Sequence, residues 1–200
     1  LLNLIRIQSA ICKNVYVVGR EIEDCGFENV FIHSIKHNVS KNIVCASIKY
    51  LLLQIRMAHR MIMLYQHVDC WIFFLGGEAL LLPLGVARIL NKNVVLLPAG
   101  SIEREGECRN DSRYKLLSLF KVISCNLSTN IMVYSKHLIA PFNLEKYRDK
   151  IIIAHEHIID FNKNTITIPI ADRLPIIGYI GRLSSEKGIH NFTGALPSII

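Results

Sequence analysis

The sequence has no pair of cysteines at C-x-x-C spacing, so it lacks the usual ligand pattern of a zinc site. Its cysteines are instead scattered, and most lie inside or beside apolar segments: Cys12, Cys25, Cys45, Cys70, Cys108 and Cys125. This distribution also argues against a disulfide framework. We expect reduced, buried thiols, as in a cytoplasmic protein.

Acidic residues are scarce relative to basic ones. There are 16 Asp and Glu against 23 Lys and Arg, which gives a formal net charge of +7 and indicates an anionic partner. No helix-turn-helix pattern and no basic segment interleaved with stacking aromatics is present, so we do not expect that partner to be nucleic acid. A membrane surface or a phosphorylated substrate fits better.

No apolar run is long and unbroken enough to predict a membrane span. The longest candidate, residues 70–87, contains Gly76-Gly77, Glu78 and Pro83, which favours a buried strand followed by a buried helix. Apolar residues make up 51% of the chain and charged residues 20%. The chain can therefore bury a large core, and we expect it to be globular.

Short apolar runs alternate with helical patterns along most of the chain. Strands are predicted at 14–19, 30–34, 71–75, 93–100, 131–135 and 150–154, and helices at 1–10, 41–68, 78–90, 114–127 and from about Lys136. This alternation predicts an α/β fold with a Rossmann-like parallel sheet and helices on both faces. Ligands bind such sheets at the carboxyl ends of the strands, so Gly76, Gly77, Gly100 and Ser101 are candidate site residues.

The longest helical pattern, residues 41–68, carries an apolar stripe and a basic stripe. The apolar stripe predicts the side that faces the core; its members are Val44, Ile48, Leu51, Ile55, Ala58, Ile62 and Tyr65. Lys49, Arg56 and Arg60 fall together on nearly the opposite side, with Leu52, Leu53 and Met63 close to them. The basic stripe is either a solvated face or a surface that contacts anionic lipid headgroups.

Residues 175–200 have the pattern of a strand, a tight loop and a helix. Ile176 to Ile180 is a short apolar run that predicts a buried strand. After the loop, apolar residues recur at helical spacing: Ile189, Phe192, Leu196 and Ile199. Unpaired N–H groups at the start of this helix favour a negative charge beside them.

The loop between that strand and helix contains Arg182 and Lys187. Gly181 and Gly188 allow the backbone to approach a ligand without a Cβ in the way. The two basic residues would clamp a phosphate or diphosphate. The alternative is that Arg182 pairs with Glu186 on the surface and Lys187 is solvated.

The segment I-G-Y-I-G-R-L-S-S-E-K-G at 177–188 resembles the opening of the second domain in glycosyltransferase family 4, whose members are retaining enzymes of the GT-B fold. In that family the arginine and lysine of the G-R-L-x-x-E-K-G segment contact the diphosphate of a nucleotide-sugar donor. The resemblance implies donor-binding roles for the matching residues, which are Gly181, Arg182, Glu186, Lys187 and Gly188. It also implies that Arg182 and Lys187 act in catalysis by neutralising charge on the departing diphosphate.

The resemblance extends more loosely over residues 69–160 and implies an organisation for the chain. Residues 1–168 would form the Rossmann-like acceptor domain without its first strand, 169–175 the linker, and 176–200 the start of the nucleotide-sugar domain. The implied activity is metal-independent transfer of a sugar from a nucleotide sugar to a glycan or lipid-linked acceptor, without a cofactor, in cytoplasmic polysaccharide or glycolipid synthesis. We expect the 200-residue chain to be inactive alone, since most of the second domain would follow Ile200.

The chain departs from the family pattern at two places. Family members often have a histidine near the end of the strand that here runs into P-A-G-S at 98–101, and an N-G-V-D-like turn is replaced by A-H-E-H-I-I-D at 154–160. His155, Glu156 and His157 are therefore expected beside the acceptor cleft. The H-E-x-x-H spacing and a third ligand are absent, so no metal site is predicted there.

A Rossmann-like fold also serves two other functions. A dinucleotide-binding Rossmann enzyme would need G-x-G-x-x-G after its first strand, and no such loop follows residues 14–19. A non-catalytic module of the same fold that binds sugar or lipid phosphate remains the alternative to the transferase.

Overall fold

The computed structural model describes residues 2–37, 40, 42–74, 76–98, 100, 114–154, 168–181, 183 and 187–199. The protein is α/β, with parallel strands flanked by helices in a Rossmann-like arrangement, which confirms the predicted fold class. The helices are α1 (Leu2–Ile11), α2 (Ile43–Met63), α3 (Leu81–Ile89), α4 (Tyr114–Leu127) and α5 (Ile189–Ala195). The strands are β1 (Val15–Gly19), β2 (Val30–Ser34), β3 (Cys70–Phe74), β4 (Asn93–Leu97), β5 (Asn130–Val133) and β6 (Ile151–Ile153).

The strands form two parallel sheets. β1 pairs with β2, and the second sheet has the order β3-β4-β5-β6. In the second sheet Phe73 lies beside Leu96, Leu96 beside Ile131 and Ile131 beside Ile151. Because every neighbouring pair in this sheet is parallel, all of its carboxyl ends lie along the same edge.

The core lies between the second sheet and the helices α2, α3 and α4. Side chains of a strand alternate between its two faces, and one alternating set is buried in this core: Trp71, Phe73, Val94, Leu96, Ile131 and Val133. These residues pack with helix residues such as Met61, Leu84 and Cys125. On the other face Ile72 is 36% exposed and Ile152 42% exposed, whereas Leu97 at the end of β4 is buried (1% exposed).

The predicted helix at 78–90 is divided in the structure. A 3₁₀ helix spans Gly77–Ala79, and α3 begins only at Leu81. Two side chains of α2 bind the backbone at the division. The Tyr50 hydroxyl donates to the Ala79 carbonyl (3.0 Å), and the Gln54 amide oxygen accepts from the Leu82 N–H (3.0 Å). The Leu82 N–H thus has a partner at the start of α3, and the Ala79 carbonyl has one although Pro83, four residues later, has no N–H to donate.

Two further helical predictions differ from the structure in extent. The predicted helix from Lys136 is a 3₁₀ helix of three residues, Lys136–Leu138, whose N-cap Ser135 accepts from the His137 N–H. The predicted helix at 41–68 is α2, which is shorter than its apolar pattern. It starts after Asn42, whose side chain accepts from the Val44 N–H (2.9 Å) as an N-cap.

The predicted core-facing side of α2 is wrong. Of the residues assigned to it, Ala58 is buried, whereas Ile48, Ile55 and Ile62 are 55%, 49% and 45% exposed. The buried side is formed by Gln54, Ala58 and Met61. α2 is apolar around most of its circumference, and its packing against α3, through the Gln54 contact with Leu82, determines which side is covered.

The predicted strand at Ile176–Ile180 is also wrong. These residues are irregular, with Ile176 78% exposed and Ile180 fully exposed. Among the described residues no strand pairs with this segment, and a single strand has no partner for its backbone groups. The helix predicted after the loop is confirmed as α5, which a 3₁₀ turn at Leu196–Ser198 follows.

The two neighbouring residues Met61 and Ile62 test which side of α2 is buried. Met61 is 3% exposed and Ile62 is 45% exposed. We expect Met61→Ala to lower the free energy of unfolding by about 2–5 kcal/mol, since it leaves a cavity in the core. Ile62→Ala should lower it by about 1 kcal/mol or less. Urea unfolding followed by circular dichroism measures both, and a larger loss for Ile62→Ala would contradict the observed packing.

Candidate functional site

Gly76 and Gly77 form the turn that leaves β3 at the carboxyl edge of the second sheet. Gly76 has a left-handed backbone (φ 85°), and a Cβ on Gly77 would lie 2.7 Å from the Phe73 Cβ. The pair is therefore needed for the close approach of the turn to the strand. Gly100 follows the carboxyl end of the neighbouring strand β4. The two predicted glycine positions thus lie at adjacent strand ends.

Glu78 is a buried carboxyl at this edge that the sequence prediction did not include among site residues. It is 5% exposed, and its backbone carbonyl accepts from the Ser124 hydroxyl of α4 (2.6 Å). Lys121 of α4 is 3% exposed. A charged residue inside the apolar run 70–87 was the available signal, because such a residue costs free energy when it is buried without a function or a partner.

Glu78 and Lys121 act on the same buried thiol, that of Cys125. Burial raises the pKa of Cys125 from 9.0 to about 11; Lys121 and other lysines lower this pKa, while Glu78 raises it. Both charged side chains therefore lie within electrostatic reach of the thiol. This places a buried acid and a buried base where the first turn after β3 meets α4.

A cavity of about 400 Å³ opens beside this group, between α4 and the 3₁₀ segment Glu145–Lys150. Its lining includes Lys121, Cys125, Asn143, Lys146 and Tyr147. None of the predicted site residues that the structure describes lines it. The cavity is therefore separate from the glycine turns at the strand ends.

A hydrogen bond from the Tyr179 hydroxyl spans the predicted donor loop. That hydroxyl donates to the Lys187 carbonyl (3.3 Å), and a Cβ built on Gly181 would lie 3.4 Å from the same oxygen. The Tyr179 ring lies 5.4 Å from the ring of Phe192 in α5. Tyr179 and Lys187, eight positions apart in sequence, are thereby held near one another.

Gly188 connects this loop to α5. It has φ 73° and ψ 23°, a left-handed conformation, at the N-cap of the helix. A side chain at this position would be strained. Lys187 is exposed just before it.

The remaining predicted site residues lie outside the described residues: Ser101, His155, Glu156, His157, Arg182 and Glu186. Among the residues that the structure describes, no hydrogen bond links Gly181 or Lys187 to Gly76, Gly77 or Gly100. The described part of the chain contains no group of three His, Cys, Asp or Glu side chains that could hold a metal ion.

The protein was compared with known families and with curated proteins. No family model matches the chain, and no curated protein matches it. The resemblance of residues 177–188 to glycosyltransferase family 4 therefore remains a basis for a proposal.

The cysteines give a test of the buried group around Glu78. The expectation of buried thiols is wrong for Cys12, Cys45 and Cys70, which are exposed, whereas Cys125 is buried; Cys108 lies outside the described residues.

We expect iodoacetamide at pH 8 to alkylate Cys45 readily and Cys125 at least about a hundredfold more slowly. A rise of two pKa units removes that much thiolate, and burial restricts access further.

Peptide mass spectrometry after timed alkylation measures both cysteines in one sample. Unfolding in guanidinium is the control, because it should bring Cys125 to the rate of the exposed thiols. Equal rates in the folded protein would contradict the buried position of Cys125.

Tyr179→Phe tests whether the hydroxyl holds the loop ends together. The variant keeps the ring beside Phe192 but leaves the Lys187 carbonyl without this donor. We expect amide hydrogen exchange at residues 187–189 to become about five- to tenfold faster, as for the loss of one exposed hydrogen bond. Tyr65→Phe, in a partly exposed tyrosine elsewhere, is the matched control and should leave these amides unchanged. Exchange unaffected by Tyr179→Phe would show that the hydroxyl does not hold the loop.

Proposed function

We propose that this chain is part of a retaining glycosyltransferase that binds a nucleotide sugar at residues 181–188 and transfers the sugar to a glycan or lipid-linked acceptor. The observation that carries the proposal is the hydrogen bond from the Tyr179 hydroxyl, two residues before Gly181, to the Lys187 carbonyl at the other end of the loop (3.3 Å). This contact keeps Lys187 close to the Gly181 end of the loop, where Arg182 follows in sequence. A short loop with a basic residue near each end of its sequence, Arg182 and Lys187, suits a ligand with two adjacent negative charges.

The diphosphate of a nucleotide sugar has those charges, and it gains charge as the sugar departs. Arg182 can bind two phosphate oxygens with its planar guanidinium, while Lys187 acts as a point charge. Their contribution grows as the bond to the sugar breaks, and electrostatic stabilisation of that kind lowers the barrier of the chemical step. Gly181 and Gly188 would let the backbone approach the phosphates.

The acceptor would bind at the carboxyl edge of the parallel sheet, beside Gly76, Gly77 and Gly100. Ser101 and the segment His155-Glu156-His157 follow strands whose ends lie at that edge, which supports their assignment to the acceptor side. A cytoplasmic location is supported by the free cysteines among the described residues. The proposed reaction uses no metal and no cofactor.

Substitution of the two basic residues tests the diphosphate clamp in the full-length protein. We expect Arg182→Ala and Lys187→Ala each to lower kcat/KM for nucleotide release from the active sugar nucleotide about a hundredfold or more. Lys136→Ala and Arg148→Ala are matched controls, because both residues are exposed and lie on other segments. A coupled nucleotide-release assay over a panel of sugar nucleotides supplies the measurement.

Equilibrium dialysis with the same panel separates the transferase from the binding module. A sugar nucleotide that binds in an Arg182-dependent way without release or transfer would favour the non-catalytic module over the enzyme. Full activity in a variant that combines Arg182→Ala with Lys187→Ala, or no binding of any sugar nucleotide, would show that the loop is not a diphosphate clamp.

A further inference from the structure

The outward side of α2 is an apolar surface. Five of its large apolar side chains are between 45% and 65% exposed: Val44, Ile48, Leu51, Ile55 and Ile62. At about 100° per residue they share one side of the helix, with Leu52 (46% exposed) and His59 next to them. Since α2 has 21 residues, this surface is about 30 Å long. The protein thus leaves a long apolar strip in water.

A row of basic residues borders this strip on one side. Lys49, Arg56 and Arg60 follow Leu52 and Met63 around the helix, and α2 contains no Asp or Glu. Arg56 donates to the Lys36 carbonyl (3.3 Å), a neutral partner that leaves its charge uncompensated. Within the described part of the chain, no carboxylate forms a salt bridge with any of the three basic residues. The border is therefore positive along its length.

We propose that the outward side of α2 docks on a bilayer surface that contains anionic phospholipid. Such a surface offers apolar acyl chains and negative headgroups side by side, which matches an apolar strip with a basic border. A second copy of this protein is a poorer match, because its α2 would bring the same basic residues and no carboxylate. The docking does not depend on the proposed donor loop.

The helix would lie in the plane of the membrane surface rather than cross it. None of the described helices combines the length and the apolar character that a membrane crossing requires. The opposite side of α2, with Gln54, Ala58 and Met61, is already occupied by α3 and the core. Only the outward side is open to lipid, so the fold remains intact when the helix docks.

Vesicle binding tests the proposal. The full-length protein is centrifuged with vesicles of phosphatidylcholine and with vesicles that also contain phosphatidylglycerol. We expect binding to the mixed vesicles alone, and we expect Lys49→Gln/Arg56→Gln/Arg60→Gln to weaken it about a hundredfold, since each basic residue near such a surface contributes about fivefold. Ile48→Gln/Leu52→Gln/Ile55→Gln should weaken it as well, because the apolar strip supplies the rest of the affinity.

A charge-matched variant and a sizing experiment complete the test. Lys115→Gln/Lys136→Gln/Arg148→Gln removes the same charge from exposed positions on other segments and should retain most of the binding. Equal loss in that control, or equal binding to both kinds of vesicle, would overturn the proposal. It would also be overturned if the protein sedimented as a dimer that the Ile48, Leu52 and Ile55 substitutions dissociate while vesicle binding persists. Urea unfolding of each variant confirms that it is folded.

Discussion

The packing of one face of a parallel sheet against α2, α3 and α4 is the constraint on which the rest of the structure depends. Parallel strands require a long connection between neighbours, and here the connecting helices α3 and α4 pack against each other and against the sheet, with α2 beside α3. The row from Phe73 through Leu96 to Ile131 supplies the sheet's half of that contact. Because all strands then point the same way, every turn after a strand reaches the same edge. The positions of Gly76 and Gly100 follow from this packing.

The same packing explains which parts of the structure could be predicted from the sequence. Strands β1 to β6 are short runs rich in β-branched and other apolar residues, which is typical of strands in a parallel sheet, and α4 has a clear helical period. The fold class followed from their alternation. The buried side of α2 could not be predicted, since apolar residues lie on most of its sides and a buried glutamine, Gln54, decides the contact with α3. The segment at Ile176 has the composition of a strand, but a strand also depends on a neighbour to pair with.

The candidate site was predictable to a similar degree. The glycine turns at the sheet edge follow from strand direction and glycine position, both of which are visible in the sequence. The loop ends at Gly181 and Lys187 were visible as a motif, whereas the hydroxyl that joins them was not, because Tyr179 was assigned to a strand. Glu78 was visible only as an interruption of an apolar run. Its burial against α4 depends on tertiary contacts that no local pattern contains.

Two segments of this protein, α2 and residues 181–188, carry the basic residues for which we propose anionic ligands, and they differ in how those residues are spaced. On α2 the basic residues are spread along a helix beside an apolar strip, so their charge is distributed over many ångströms and suits an extended surface. At residues 181–188 the two basic residues lie within one short loop, whose Lys187 carbonyl accepts a hydrogen bond from the Tyr179 hydroxyl, and we propose a compact ligand there. A lipid-linked acceptor would need both features in one protein, since its lipid stays in a bilayer while its headgroup reaches a soluble donor. The arrangement of charge on the two segments is thus more specific about function than the net charge of +7.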